Sequence, residues 1–136
     1  MALRAAYLAL HRRTDGRLAR HGVTADQFVL LATLAQGDAQ TQRDLARRTA
    51  SDPNTVRAML LLLEGRGLVA RTPHPTDARA RTARLTAKGR RTYAALWARS
   101  EPVRAELLAA LRPGEGPVLL DLLARVARAM APARSG

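Results

Sequence analysis

The sequence predicts a mostly α-helical fold with one small β-hairpin. Three observations carry that expectation. Aromatic residues make up only 3% of the chain against 47% apolar residues overall, so the core must be built from leucine, alanine and valine, and the first two are strong helix formers. Apolar residues recur every three or four positions along most of the chain. Only between Leu68 and Leu85 does the pattern shorten towards alternation. A chain of 136 residues is long enough for a real core and suits one domain, or one domain with an oligomerisation element.

The first helix runs from Ala2 to Arg20, with Leu3, Tyr7, Leu10, Thr14 and Leu18 on one face, and stops at His21-Gly22. Thr24 and Gln27 form a capping box that opens the second, with Val23 placed as a hydrophobic staple. Phe28, Leu31 and Leu34 carry its buried stripe, and Gln36-Gly37-Asp38 ends it. Thr41 caps a short helix over 42–50 that is buried through Leu45 and Ala46. After Ser51, Asp52 caps a helix that starts at Pro53 and reaches about Arg66, with Val56, Met59, Leu60 and Leu63 facing inward and Gly67 at its end.

The two strands follow, 68–72 and 79–85, joined by a loop over 73–78 that holds two prolines and an aspartate. Thr86 caps a long helix through Tyr93, Trp97, Val103 and Leu111, which Pro102 should kink or restart after Ser100. Arg112-Pro113-Gly114 is a break. A last amphipathic helix carries Val118, Leu119, Leu122, Leu123, Val126 and Met130, and a frayed tail covers 131–136. Two short helices across a tight turn, followed by a hairpin, make the winged helix-turn-helix plan.

The formal charge is +12, and arginine supplies all of the basic residues but Lys88. Between positions 41 and 91, twelve basic residues stand against four acids, so +8 of the +12 lies on the half of the chain that carries the helix-turn-helix and hairpin. A solvated surface would scatter its charge; this concentration suits a polyanionic partner. The absence of cysteine excludes disulfides, thiol switches and cysteine nucleophiles. His11, His21 and His74 lack ligand spacing, so no metal site is expected, and no cofactor. An enzyme is disfavoured: Ser100 has no nearby histidine in sequence, Glu101 and Glu106 lie five apart, and no phosphate-loop pattern occurs. With no apolar stretch of spanning length and no signal peptide, the expected location is cytoplasmic.

Several segments, in order, carry a family likeness. They are Val23-Thr24-Ala25-Asp26-Gln27-Phe28-Val29-Leu30-Leu31, Thr41-Gln42-Arg43-Asp44-Leu45-Ala46, Asn54-Thr55-Val56 and Leu63-Glu64-Gly65-Arg66-Gly67-Leu68-Val69. The most specific is Asp77-Ala78-Arg79, followed after five residues by Leu85-Thr86-Ala87-Lys88-Gly89. Across nearly its whole length the chain resembles the MarR family of bacterial winged-helix regulators. That resemblance implies a winged helix-turn-helix DNA-binding lobe over 24–87 and helical dimerisation regions over 1–22 and 88–134. It also implies a transcriptional repressor acting as a homodimer on a pseudo-palindromic double-stranded operator.

The DNA-binding residues expected on this basis are Gln42, Arg43, Pro53, Asn54, Thr55, Arg57, Arg71, Asp77, Arg79, Arg81 and Arg84. The helix from Pro53 offers free N–H groups and a positive dipole end to the duplex. Arg57 can donate to a guanine edge or a phosphate, and Asn54 to a base or a phosphate. In the family, the arginine at position 79 enters the minor groove and the aspartate at 77 orients it, which a narrow, electronegative groove favours. Arg71, Arg81 and Arg84 suit phosphates. Relatives usually carry polar residues within the Leu60–Leu63 stretch. Leu61 falls four residues beyond Arg57, so either it sits beyond the DNA contact or the helix is rotated from this reading.

The resemblance further implies release by a small aromatic ligand, with His11, Phe28, Tyr93 and Trp97 as the candidate pocket. Two other classes compete: a non-specific architectural DNA-binding protein and a winged-helix module that binds an acidic protein. A thousandfold preference for one site would exclude the first. Retention on DNA by Arg57→Ala and Arg79→Ala variants would support the second.

Overall fold

A computed structural model describes residues 1–37 and 39–133. Asp38 of the expected helix stop and residues 134–136 of the expected tail lie outside them. The elements run α1 (Ala2–Leu18), a 3-10 turn (Ala19–His21), α2 (Ala25–Ala35), β1 (Gln40–Thr41), α3 (Gln42–Arg48) and α4 (Pro53–Gly65). Then follow β2 (Val69–Pro73), β3 (Arg81–Leu85), α5 (Ala87–Ala109) and α6 (Glu115–Met130). The chain divides into two compact units, Met1–Glu101 and Pro102–Gly136.

Local chemistry sets most boundaries. Gly22, at φ 65°, closes the turn after α1 in the left-handed region that glycine tolerates. The Thr24–Gln27 capping box is present in both directions, and Val23 joins Phe28 in the core as a staple should. Thr41 accepts the Asp44 N–H to cap α3, and Asp52 accepts those of Asn54 and Thr55 to cap α4 behind Pro53. Such caps are each worth about 1 kcal/mol.

The core lies in the first unit. It joins Leu18 of α1, Phe28, Leu30, Leu31 and Leu34 of α2, Leu45 of α3, and Val56, Leu60 and Leu63 of α4. Leu68, Val69, Ala83, Leu85 and Leu96 complete it. On α2 the buried face is wider than the expected stripe, because Gln27, Leu30 and Thr33 are buried beside Phe28, Leu31 and Leu34. A helix packed between α1, α3 and β3 has little side left for water.

Four expectations change. The hairpin is part of a three-stranded antiparallel sheet of order β1-β3-β2, because Gln40 and Thr41 pair with Ala83 and Thr82. Two residues carry no periodicity, so their strand character comes only from the partner edge. β3 begins at Arg81, which leaves Arg79 in the loop. α3 ends at Arg48, and Ala50 takes a positive φ of 51° in the turn towards α4. Finally, α5 is helical straight through Pro102. Proline removes the hydrogen bond to the Ala98 carbonyl, but both residues are exposed and water can serve that oxygen.

Two helices keep their apolar faces uncovered within the chain. On α1 only Leu18 is buried, while Leu3 and Tyr7 are more than half exposed. On α6 no residue is buried, and Val118, Leu122, Leu123, Val126 and Met130 all lie open.

Candidate nucleic-acid interface

A seam joins the end of α4 to the hairpin and the start of α5. Thr86 caps α5 by accepting the Gly89 N–H at 2.9 Å, and its hydroxyl donates to the Gly67 carbonyl at 2.6 Å. Gly89 packs so tightly on Leu68 that a Cβ would overlap the Leu68 carbonyl. Gly67 sits at φ 74° to end α4. Lys88 donates to the Arg66 carbonyl at 3.0 Å, and the Arg66 guanidinium donates to the carbonyls of Gly22 and His21 at 2.9 and 3.1 Å. Both cations therefore neutralise helix C-termini, the favourable end for positive charge. The sequence counted them with the DNA-facing charge; the structure uses them to hold the hairpin and α4 in place.

Beyond the seam lies a cleft of about 920 Å³ between the starts of α3 and α4 and the hairpin loop. Of the expected residues it brings together Gln42, Arg43, Pro53, Arg57, Arg71, Asp77, Arg79 and Arg81; Thr41, Ala78 and Ala80 complete the wall. Gln42 donates to the Pro53 carbonyl at 3.1 Å and so ties the start of α3 to the start of α4.

Asn54, Thr55 and Arg84 are not part of that wall. Asn54 and Thr55 are exposed on the first turn of α4, their backbone N–H groups held by Asp52. Arg84 is three residues from Arg81, an odd step along a strand. Side chains alternate in β3, so Arg84 projects from the opposite face of the sheet.

The hairpin loop is braced from inside. His74 Nδ1 accepts the backbone N–H groups of Thr76 and Asp77 at 3.2 and 3.1 Å, and the His74 N–H donates to the Ala80 carbonyl. Asp77 accepts the backbone N–H of Arg79 at 3.0 Å. The aspartate thus shapes the turn that carries Arg79, gripping its backbone and leaving the guanidinium unpaired. Sequence reading missed His74; its only signal was a histidine beside two prolines in a short loop.

The side chains of Arg43, Arg57, Arg71, Arg79 and Arg81 have no hydrogen-bond or ion-pair partner among the described residues. By contrast Arg47 pairs with Asp44 at 3.2 Å, and Arg48 with the side chains of Gln40 and Gln36. Five like charges around one concavity repel one another, a cost that binding a polyanion relieves.

The rotation of α4 is also fixed. Val56, Leu60 and Leu63 are buried at 0–1% exposure. At about 100° per residue, the opposite direction falls on Asn54, Ala58 and Leu61, with Arg57 on one shoulder and Thr55 on the other. Of the two alternatives for Leu61, this favours a helix turned so that Leu61 shares the outward face with Asn54, while Arg57 and Thr55 flank it.

The candidate ligand residues form two groups. Phe28, Tyr93 and Trp97 are mutual neighbours, with ring centroids 5.8, 6.5 and 6.3 Å apart. Phe28 is buried and Trp97 is 48% exposed. His11 stands instead beside Tyr7, with its two ring nitrogens 3.3 Å from Asp15 and from Asp26.

The profile of the MarR family matches residues 23–80. The chain is 32% identical over 105 residues to the uncharacterised HTH-type transcriptional regulator YdgJ of Bacillus subtilis, covering 77% of this chain and 64% of YdgJ, less than two thirds of that relative's length. The transcriptional repressor CouR, solved on a 23-mer DNA duplex, superposes with a TM-score of 0.83 at 31% identity, over 93% of this chain and 89% of CouR. BpsR of Bordetella bronchiseptica, whose DNA binding is regulated by 6-hydroxynicotinic acid, superposes with a TM-score of 0.83 at 28% identity, over 96% and 92%.

Proposed function

This chain belongs to the MarR family of DNA-binding transcriptional regulators, which are not enzymes, and on that footing we propose that it represses transcription by binding a pseudo-palindromic operator as a homodimer. One observation carries the reading: five arginines converge on a single cleft at the start of α4 and at the hairpin loop, with no hydrogen-bond or ion-pair partner among the described residues. Arg79, on a braced loop, enters the minor groove. The start of α4 enters the major groove, with Asn54, Thr55 and Arg57 at the bases or phosphates, while Arg71 and Arg81 hold phosphates. Arg84 contacts the backbone only where the duplex wraps past the sheet edge. The reading lobe is 24–87, with dimerisation through 1–22 and 88–134, and the protein works in the cytoplasm.

The second copy is argued from area. The open apolar faces of α1 and α6 would leave large hydrophobic patches in water on a lone subunit. A two-fold dimer covers them and sets the two α4 helices about 34–36 Å apart, one turn of duplex. The ring cluster of Phe28, Tyr93 and Trp97 is the proposed site for a small aromatic effector; His11, which stands in a separate group beside Tyr7, is the remaining candidate. BpsR and its nicotinic-acid derivative support that reading.

Selection of bound DNA from a random pool tests the function. A two-fold-symmetric site should emerge that out-competes random duplex by about a thousandfold at physiological salt. Binding without enrichment would leave an architectural protein. Undiminished retention on DNA by Arg57→Ala and Arg79→Ala variants would leave a protein-interaction module. No helix among the described residues is long and apolar enough to cross a membrane.

A further inference from the structure

α4 is apolar on its outer side as well as its inner one. Opposite the buried Val56, Leu60 and Leu63 runs a stripe of Asn54, Ala58 and Leu61, at positions i, i+4 and i+7. Asn54 and Ala58 are exposed, and Leu61 is 49% exposed. Arg57 stands on the shoulder of this stripe and lines the cationic cleft, so the two surfaces are continuous.

Ala58 and Leu61 carry no donor or acceptor. Neither can hydrogen-bond a base edge or neutralise a phosphate. The feature of the major groove that an alkyl side chain recognises is the C5-methyl of thymine. Three residues of helix rise by about 4.5 Å, against about 3.4 Å between stacked bases of one strand. Ala58 and Leu61 are therefore spaced to meet methyls on neighbouring base pairs. We propose that Ala58 and Leu61 are specificity-determining residues that read thymine methyl groups, beside the hydrogen-bonding Asn54 and Arg57. The inference rests on the operator-binding reading and deepens it, by making the half-site thymine-bearing under α4.

The experiment uses the full chain and the duplex it enriches from the random pool. Thymines are replaced one at a time by deoxyuridine, which removes the methyl and keeps every hydrogen-bonding group. One or two symmetric positions per half-site should each lose about fourfold in affinity, the worth of one buried methyl. Leu61→Ala should bind the thymine and uracil duplexes equally at one of those positions. Leu62→Ala, about 100° further round the helix, should keep the difference. Leu61 is half exposed, so helical circular dichroism should be unchanged; Leu61→Gln, which keeps the side-chain length, repeats the test should the alanine variant fold poorly. Specific binding that ignores uracil at every position overturns the inference alone, as does full uracil sensitivity in both Leu61 variants. A chain that binds no duplex overturns the operator reading as well.

Discussion

The seam and the cleft are built from the same kind of residue and use it in opposite ways. At the seam, Arg66 and Lys88 donate to carbonyl oxygens at the ends of helices, and their head groups are held there by the fold. In the cleft, Arg43, Arg57, Arg71, Arg79 and Arg81 surround one concavity with a single acid, Asp77, in its wall. The two populations are interleaved in sequence, Arg66 falling between Arg57 and Arg71, and nothing in the residue type distinguishes them. What differs is whether an unsatisfied helix end lies within reach. A basic residue near a helix C-terminus becomes structural; one near a helix N-terminus or a loop tip stays available for a ligand. Net charge alone therefore overstates an interface.

Substitutions at the two places should separate stability from binding. The largest effect belongs to Gly89→Ala at the seam. The added methyl must displace the Leu68 backbone, so the chain should lose about 3 kcal/mol in urea denaturation and release DNA only as a consequence. Next is Arg79→Ala in the cleft. Each subunit should lose about 1–3 kcal/mol of operator binding in a titration, while the melting temperature stays put. Arg71→Ala should weaken specific and random duplex alike, and should lower the slope of log affinity against log salt by about one for each copy of the residue. The smallest effect is that of Arg66→Met. It should cost about 1 kcal/mol of stability and leave the salt slope unaltered, since that guanidinium is held by the carbonyls of His21 and Gly22 and is not part of the cleft wall. A salt slope that fell as far in Arg66→Met as in Arg71→Ala would erase the distinction between seam and cleft.

The same division explains what could be read in advance. Caps, glycine stops and periodicity are written within four residues of where they act, so Thr24, Thr41, Asp52, Gly67 and Thr86 announced their helices. Eight of the eleven expected DNA-binding residues gather in the cleft, because helix starts and a hairpin loop were legible and a winged plan brings them together. The misses share a cause. β1 has only two residues and exists because β3 offers an edge. Arg84 needed the register of β3 to be assigned to a face. Pro102 was expected to kink α5 or restart it after Ser100; no restart occurs, because the cost of one lost hydrogen bond on an exposed side is less than that of ending a long helix. The backbone contact of Asp77 and the bracing role of His74 depend on how a seven-residue loop closes, and no periodicity encodes that closure.

By itself, then, the sequence determined the order of helices and strands, the caps between them and the excess of arginine over acid in the middle of the chain. These are short-range properties, decided by a residue and its near neighbours. Only the tertiary structure decided which arginines bond inside the fold and which remain open, and where the sheet gains its third strand. Each of those depends on groups far apart in the chain coming within a few ångströms, and distance in space is the one quantity that a local pattern does not carry.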